Sequence, residues 1–197
     1  MPYARKDNIS WVSGSYYHIY NRGARQVTIF REETNYLFVL SRMKKYLKEL
    51  QLAIIAYCLM PNHYHLVLKQ NSTQPLNSCV QLIFNSYTKA INKRYRRCGT
   101  LFEGRFKAKE IYEEQTILEV CRYVHRNPLD DGLVNKIEDW EYSNYHEWVG
   151  IGSGKLCDYN FSSKHFPDQA DYKKYVLDYY SYKQVVKDLK KLGYLKS

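Results

Sequence analysis

The order of periodic segments predicts an α+β fold of ferredoxin-like (RRM-like) type: an antiparallel sheet with helices packed on one face, followed by a helical C-terminal tail. Three observations lead there. The apolar periodicity runs strand, helix, strand, strand, helix, strand, helix. Two apolar runs, Ala53 to Leu59 and His63 to Lys69, are separated by Met60-Pro61-Asn62, a turn signal that marks an antiparallel hairpin. The chain has 197 residues, enough for one domain with a real core.

Each element follows from its own pattern. Ser15 to Tyr20 alternates as a strand and meets Asn21-Arg22-Gly23, which predicts a turn. Glu32 to Leu50 places Tyr36, Leu37, Leu40, Met43, Tyr46, Leu47 and Leu50 at helical spacing. Leu76 to Tyr95 repeats that spacing with Val80, Ile83, Phe84, Tyr87 and Ile91, and Arg97-Cys98-Gly99-Thr100 breaks it. Phe106 to Tyr112 alternates as a strand. Gln115 to about Arg126 is helical, with Asn127-Pro128 expected to end it. Gly150 to Gly154 reads as a loop, and Asp171 to Leu192 returns to a helical pattern rich in Lys and Tyr. The expected organisation is a main domain over residues 1–150 and a helical appendage over 151–197.

Composition narrows the class. Hydrophobic residues make up 45% and charged residues 25%, as in a soluble globular protein. No apolar stretch approaches the length of a membrane span, and no apolar signal core follows Met1-Pro2-Tyr3-Ala4. Five scattered cysteines form no Cys-x-x-Cys pair, which argues against a zinc ribbon or a disulfide framework and for the reducing cytoplasm. The net charge of +10 favours a polyanionic partner. Its distribution says more. Residues 84–109 hold eight bases (Lys89, Lys93, Arg94, Arg96, Arg97, Arg105, Lys107 and Lys109) against the single acid Glu103. A solvated helix face usually mixes signs; a single-sign run suits phosphate contact.

His63 and His65 are the sharpest signal. In a strand they share a face while Tyr64 points the other way, and two imidazoles on one face can share a divalent metal. Two ligands do not complete a site. Tyr123 and Asn127 lie four apart on one predicted helix and so share its face; Asn127 could supply an amide oxygen and Tyr123 a nucleophilic hydroxyl one turn away. Spacing alone suits a core tyrosine and a helix C-cap better. Tyr87 and Tyr95 are rival nucleophiles on the basic helix, although neither has a polar partner suited to the role four residues on.

Three segments in order, Tyr57-Cys58-Leu59-Met60-Pro61-Asn62-His63-Tyr64-His65-Leu66, Gly99-Thr100-Leu101-Phe102-Glu103-Gly104-Arg105-Phe106-Lys107 and Tyr123-Val124-His125-Arg126-Asn127-Pro128, resemble the single-tyrosine HUH transposases, and within them the REP-associated tyrosine transposase branch. The likeness spans roughly residues 14–150 and fades in the tail. It implies His63, His65 and Asn127 as ligands to Mg or Mn, Tyr123 as nucleophile, and Gly104-Arg105 as part of a basic loop beside the site. It further implies single-stranded or hairpin DNA as partner, acted on by a monomer or homodimer. The expected DNA contacts are Lys93, Arg94, Arg96, Arg97, Arg105, Lys107 and Lys109.

Two other classes fit less well. A non-catalytic nucleic-acid-binding module on the same fold would bind with a steep salt slope and need no metal. A paired-histidine phosphodiesterase needs two His-x-Ser/Thr motifs, which His18-Ile19-Tyr20 and His63-Tyr64-His65 do not supply.

Overall fold

The computed structural model describes residues 9–195 except 72, 74, 75, 153 and 155. Strands β1 (Tyr16–Arg22), β2 (Ala53–Met60), β3 (His63–Lys69) and β4 (Lys107–Ile111) form one antiparallel sheet in the order β2-β3-β1-β4. This is the ferredoxin-like order that the periodicity predicts. The expected turn at Asn21-Arg22 lies inside β1, which runs on because Arg22 pairs with His63 across the sheet. The hairpin turn is held from outside: the Pro61 carbonyl accepts from the Ile29 and Phe30 N–H groups at 2.7 and 2.9 Å.

Helices α1 (Glu33–Glu49) and α2 (Leu76–Arg94) cover one face, packing on Tyr17, Ile19, Tyr64, Leu66 and Leu68. The sequence expectation places the helices on that face alone. In the structure α3 (Glu114–Asp130) covers the opposite face, on Ile55, Cys58, Met60 and Val67. The reason is the composition of β2, which is apolar at both parities and buried along nearly all its length; a strand like that needs cover on both sides. A bulge between Ile54 and Ala56 lets Ile55 and Ala56 both join the α3 side.

Helix α3 also runs past its expected end. Pro128 lies inside it, in the last turn, where a missing N–H costs only one hydrogen bond, and both Asn127 and Pro128 are buried. Beyond it come α4 (Tyr145–Trp148), α5 (Tyr159–His165), α6 (Gln169–Leu177) and α7 (Tyr179–Lys191). The tail expected as one helix from 171 is thus two. Asp178 is extended between them, and its carboxylate caps α7 by accepting from the Ser181 N–H.

The tail helices grip α3 through two buried arginines. Arg122 donates to the Ser181 hydroxyl and the Asp178 carbonyl and lies over the Tyr175 and Tyr182 rings. Arg126 donates to the Val176 carbonyl at 2.7 Å and lies over Tyr182. Helix α3 is therefore fixed between the sheet and the tail. The outer edge of β2 is covered as well: Leu59 donates to the Tyr142 carbonyl, Tyr57 to the Asn144 side chain, and Asp158 to the Ile54 carbonyl. Among the described residues no helix is long and apolar enough to cross a membrane.

Candidate active site

Strand alternation sends His63 and His65 toward α3 and Tyr64 into the α1–α2 core. There Tyr64 stacks on Phe84 with ring centroids 3.8 Å apart and meets the edge of Phe102. Phe102 belongs to the loop after α2, which is pinned beside β1 by a Gly23–Phe102 bridge. The residue between the histidines thus fastens the basic loop to the strand that carries them.

The two histidine rings meet edge to face at 5.1 Å. Helix α3 brings Asn127 to them, with His63 Nε2 3.4 Å from Asn127 Oδ1. The protons at this contact are committed elsewhere. The Asn127 amide N–H donates back to the Tyr123 carbonyl at 2.8 Å, which turns Oδ1 toward the histidines. His63 Nδ1 donates to Asn62 Oδ1 at 2.6 Å, which leaves its Nε2 bare. An imidazole nitrogen and a carbonyl oxygen then face one another, a mixed donor set that can hold a divalent cation; on affinity grounds it suits Zn better than Mg or Mn, so availability would decide which ion occupies it. Among the described residues no three His, Cys, Asp or Glu side chains gather as a metal site, so any such site depends on the amide oxygen.

Burial holds both imidazoles neutral. The pKa of His65 is driven well below the ordinary histidine value by burial and by its histidine neighbours. That of His63 is lowered by burial, with Asn127 and the Asp131 charge opposing the shift. Neutral imidazoles keep their lone pairs for a cation at physiological pH.

Tyr123 lies on the same face of α3, its ring edge-on to His65 at 5.4 Å. Burial pushes its hydroxyl up to about 12, with the Asn127 amide acting the other way. The rival tyrosines lie elsewhere. The Tyr87 hydroxyl is buried on the far side of the sheet and donates to the Ile29 carbonyl, and Tyr95 donates to Glu32.

A cavity of about 510 Å³ opens between sheet and helix, lined by His63, His65, Tyr123 and Asn127 together. Of the expected DNA contacts, Arg105 and Lys107 line it; Lys93, Arg94, Arg96, Arg97 and Lys109 do not. Arg94 pairs with Glu32 at 2.6 Å, and Lys109 lies over the Tyr194 ring. Among the lining residues absent from the expected set are Tyr20, Arg22 and Asp131. Asp131 is one turn beyond Asn127, a signal the sequence did offer. Tyr20 and Arg22 share the histidine face only because β1 pairs with β3, which periodicity alone does not reveal.

Fold and cavity together define the class: an α+β protein with a histidine-lined polar cavity between sheet and helix, basic at its rim. A family model described as "Transposase IS200 like" matches residues 11–127, more than half of the chain, and the chain belongs to that transposase family. The matched span takes in the histidine pair, Tyr123 and Asn127. The chain is 24% identical over 107 residues to a Haemophilus influenzae protein named as a REP-associated tyrosine transposase, a match covering 48% of this chain. That match spans 60% of the relative's length. Among solved structures, one described as a REP-associated tyrosine transposase bound to a REP hairpin superposes with a TM-score of 0.64 at 18% identity, covering 79% of this chain and 94% of that one. It shares the fold.

Proposed function

We propose that this chain is a metal-dependent endonuclease and strand transferase for single-stranded DNA, acting in the cytoplasm on hairpin or repeat sequences. The observation that carries this is the convergence of His63 Nε2 and Asn127 Oδ1, 3.4 Å apart, in the cavity that His65 and Tyr123 also line. His63, His65 and Asn127 would hold Mg or Mn. When bound, the metal supplies positive charge that offsets the charge developing on the scissile phosphate oxygens.

The chain's own residues do the rest. The Tyr123 oxygen attacks phosphorus in line with the leaving 3′ oxygen. A bond from the tyrosine oxygen to phosphorus forms, the phosphorus–O3′ bond breaks, and the phenolic proton passes overall to the 3′ oxygen. The products are a 5′-phosphotyrosine and a free 3′ hydroxyl. Attack by another 3′ hydroxyl reverses the step and joins a new strand. The bond energy stays in the phosphotyrosine, so no nucleotide cofactor is needed. Arg105 and Lys107 hold the backbone at the mouth of the cavity. The relative's hairpin-bound structure supports hairpin DNA as the partner.

The test is incubation with end-labelled single-stranded hairpin DNA and Mn, followed by denaturing electrophoresis. A protein–DNA adduct that His63→Ala/His65→Ala removes is the expected result. Salt-sensitive binding with no adduct and no metal requirement would instead identify a binding module on the same fold.

A further inference from the structure

Strand β1 places His18 on the histidine face of the sheet, fully buried, and the reaction above gives it no role. Both of its ring nitrogens are engaged. Nδ1 lies 3.1 Å from the main-chain carbonyl of Tyr194, and Nε2 lies 3.0 Å from Nδ1 of His65. The His18 and His65 rings are nearly parallel, at 15°.

These contacts admit one assignment of hydrogens. A carbonyl only accepts, so His18 Nδ1 carries a hydrogen. A neutral imidazole has one N–H, so His18 Nε2 is bare and accepts. His65 Nδ1 must then donate, and His65 Nε2 keeps its lone pair. The tautomer that histidine favours in water is the opposite one, with the hydrogen on Nε2, and that form cannot ligate through Nε2. Ligating histidines generally have the other ring nitrogen committed to an acceptor, and losing that acceptor weakens metal affinity.

We propose that His18 is a positioning residue: anchored by the Tyr194 carbonyl, it locks His65 in the Nδ1–H tautomer so that His65 Nε2 is always available to a divalent cation. The inference rests on the metal-site reading of His63, His65 and Asn127. It also gives the segment after α7 a role, since the fixed acceptor is the main-chain carbonyl of Tyr194.

The first measurement needs no metal. In long-range ¹H–¹⁵N spectra of the metal-free wild-type protein, His65 should show a protonated Nδ1 and a bare Nε2. A protonated Nε2 there overturns the proposal. The second measurement is Mn binding followed by electron paramagnetic resonance. His18→Phe keeps a ring but removes the acceptor, and Mn affinity should fall by about tenfold or more. His18→Gln restores a carbonyl acceptor in the same place and should recover most of the affinity. Far-UV circular dichroism and thermal unfolding establish that each variant is folded. Should His18→Phe misfold, the wild-type spectrum and the His18→Gln titration still decide: a protonated Nδ1 with near-native Mn affinity supports the proposal, and a Gln variant as weak as His65→Ala overturns it. Wild-type Mn affinity in a folded His18→Phe overturns it as well. Failure of wild-type protein to bind Mn, with the expected His65 tautomer present, removes the metal reading and leaves the hydrogen-bond lock standing.

Discussion

Replacing Asn144 with alanine should destabilise the protein far more than an ordinary polar substitution. Asn144 is fully buried, and its side chain makes four hydrogen bonds. Oδ1 accepts from the Tyr57 N–H at 2.6 Å and from His125 Nε2 at 2.9 Å; Nδ2 donates to the Ile55 carbonyl at 2.8 Å and to the Cys157 sulfur. Truncation leaves these groups in unequal positions. The Ile55 carbonyl keeps a donor, since Trp148 Nε1 reaches it at 3.0 Å. The Cys157 thiol still reaches Glu147. The Tyr57 N–H and the His125 Nε2–H keep nothing. Each orphaned buried donor costs about 1–3 kcal/mol, so the loss should be about 2–6 kcal/mol. For a domain with about 5–15 kcal/mol of stability that is a large fraction. Urea unfolding followed by tryptophan fluorescence reads it as a lower midpoint at unchanged slope. A loss below about 1 kcal/mol would refute the reasoning, because water or a shifted side chain would then be satisfying both donors. His125 lies on α3 two residues before Asn127, so the variant should also cut the proposed strand-transfer activity in the fraction that remains folded.

Further outcomes can be checked directly. Tyr123→Phe should leave stability within about 0.5 kcal/mol and DNA binding intact, while the covalent adduct expected of the proposed reaction should be absent from denaturing gels; an adduct that survives it and is lost in Tyr95→Phe would move the nucleophile to the residue that follows α2. Because burial holds the Tyr123 hydroxyl near about 12, its ionised fraction grows tenfold per pH unit below that value, so single-turnover cleavage at saturating Mn should rise with pH until the fold fails, and a flat profile would contradict this. Arg105→Glu and Lys107→Glu should each flatten the log–log salt dependence of hairpin binding by about one unit, whereas Arg96→Glu, outside the cavity, should leave the slope for a minimal hairpin unchanged. Tyr64→Ala should cost about 3–5 kcal/mol in urea unfolding by emptying the stack on Phe84, and Tyr64→Phe should cost little.

Periodicity sufficed for the sheet because β2 and β3 are short apolar runs joined by a turn, because β1 and β4 alternate, and because α1, α2 and α3 carry long regular stripes. It misjudged the end of α3 because the rule against Pro in helices is a local one. Here burial on both sides of α3 outweighs the single hydrogen bond that Pro128 forgoes. Asp178 hid a helix break because one residue can cap the next helix without interrupting the apolar spacing. The proposed ligands were visible because His63 and His65 are two apart and Tyr123 and Asn127 four apart, spacings that only one kind of element makes coincide. The contributions of His18, Tyr20 and Arg22 were not visible. They depend on the pairing of β1 with β3, a relation between segments more than forty residues apart. Charge along a sequence does not say which bases line the cavity: Arg105 and Lys107 do, and Lys93, Arg94, Arg96, Arg97 and Lys109 do not.

The bulge in β2 has a consequence for how the family can vary. Strand β2 already carries an extra residue at Ile55, and its outer edge is held by a long irregular segment, so a one-residue insertion or deletion there has a place to be absorbed. Strand β3 has no such slack. It is paired without interruption to β1 along its whole length. Adding or removing one residue between Pro61 and Tyr64 would exchange the two sides of the strand: Tyr64 would enter the cavity and the imidazoles would be driven into the packing between α1 and α2. Length variants in a deletion scan should therefore survive in β2 and vanish from the turn and first half of β3. The frame of that one strand, more than the identity of any single side chain in it, is what selection has to hold constant.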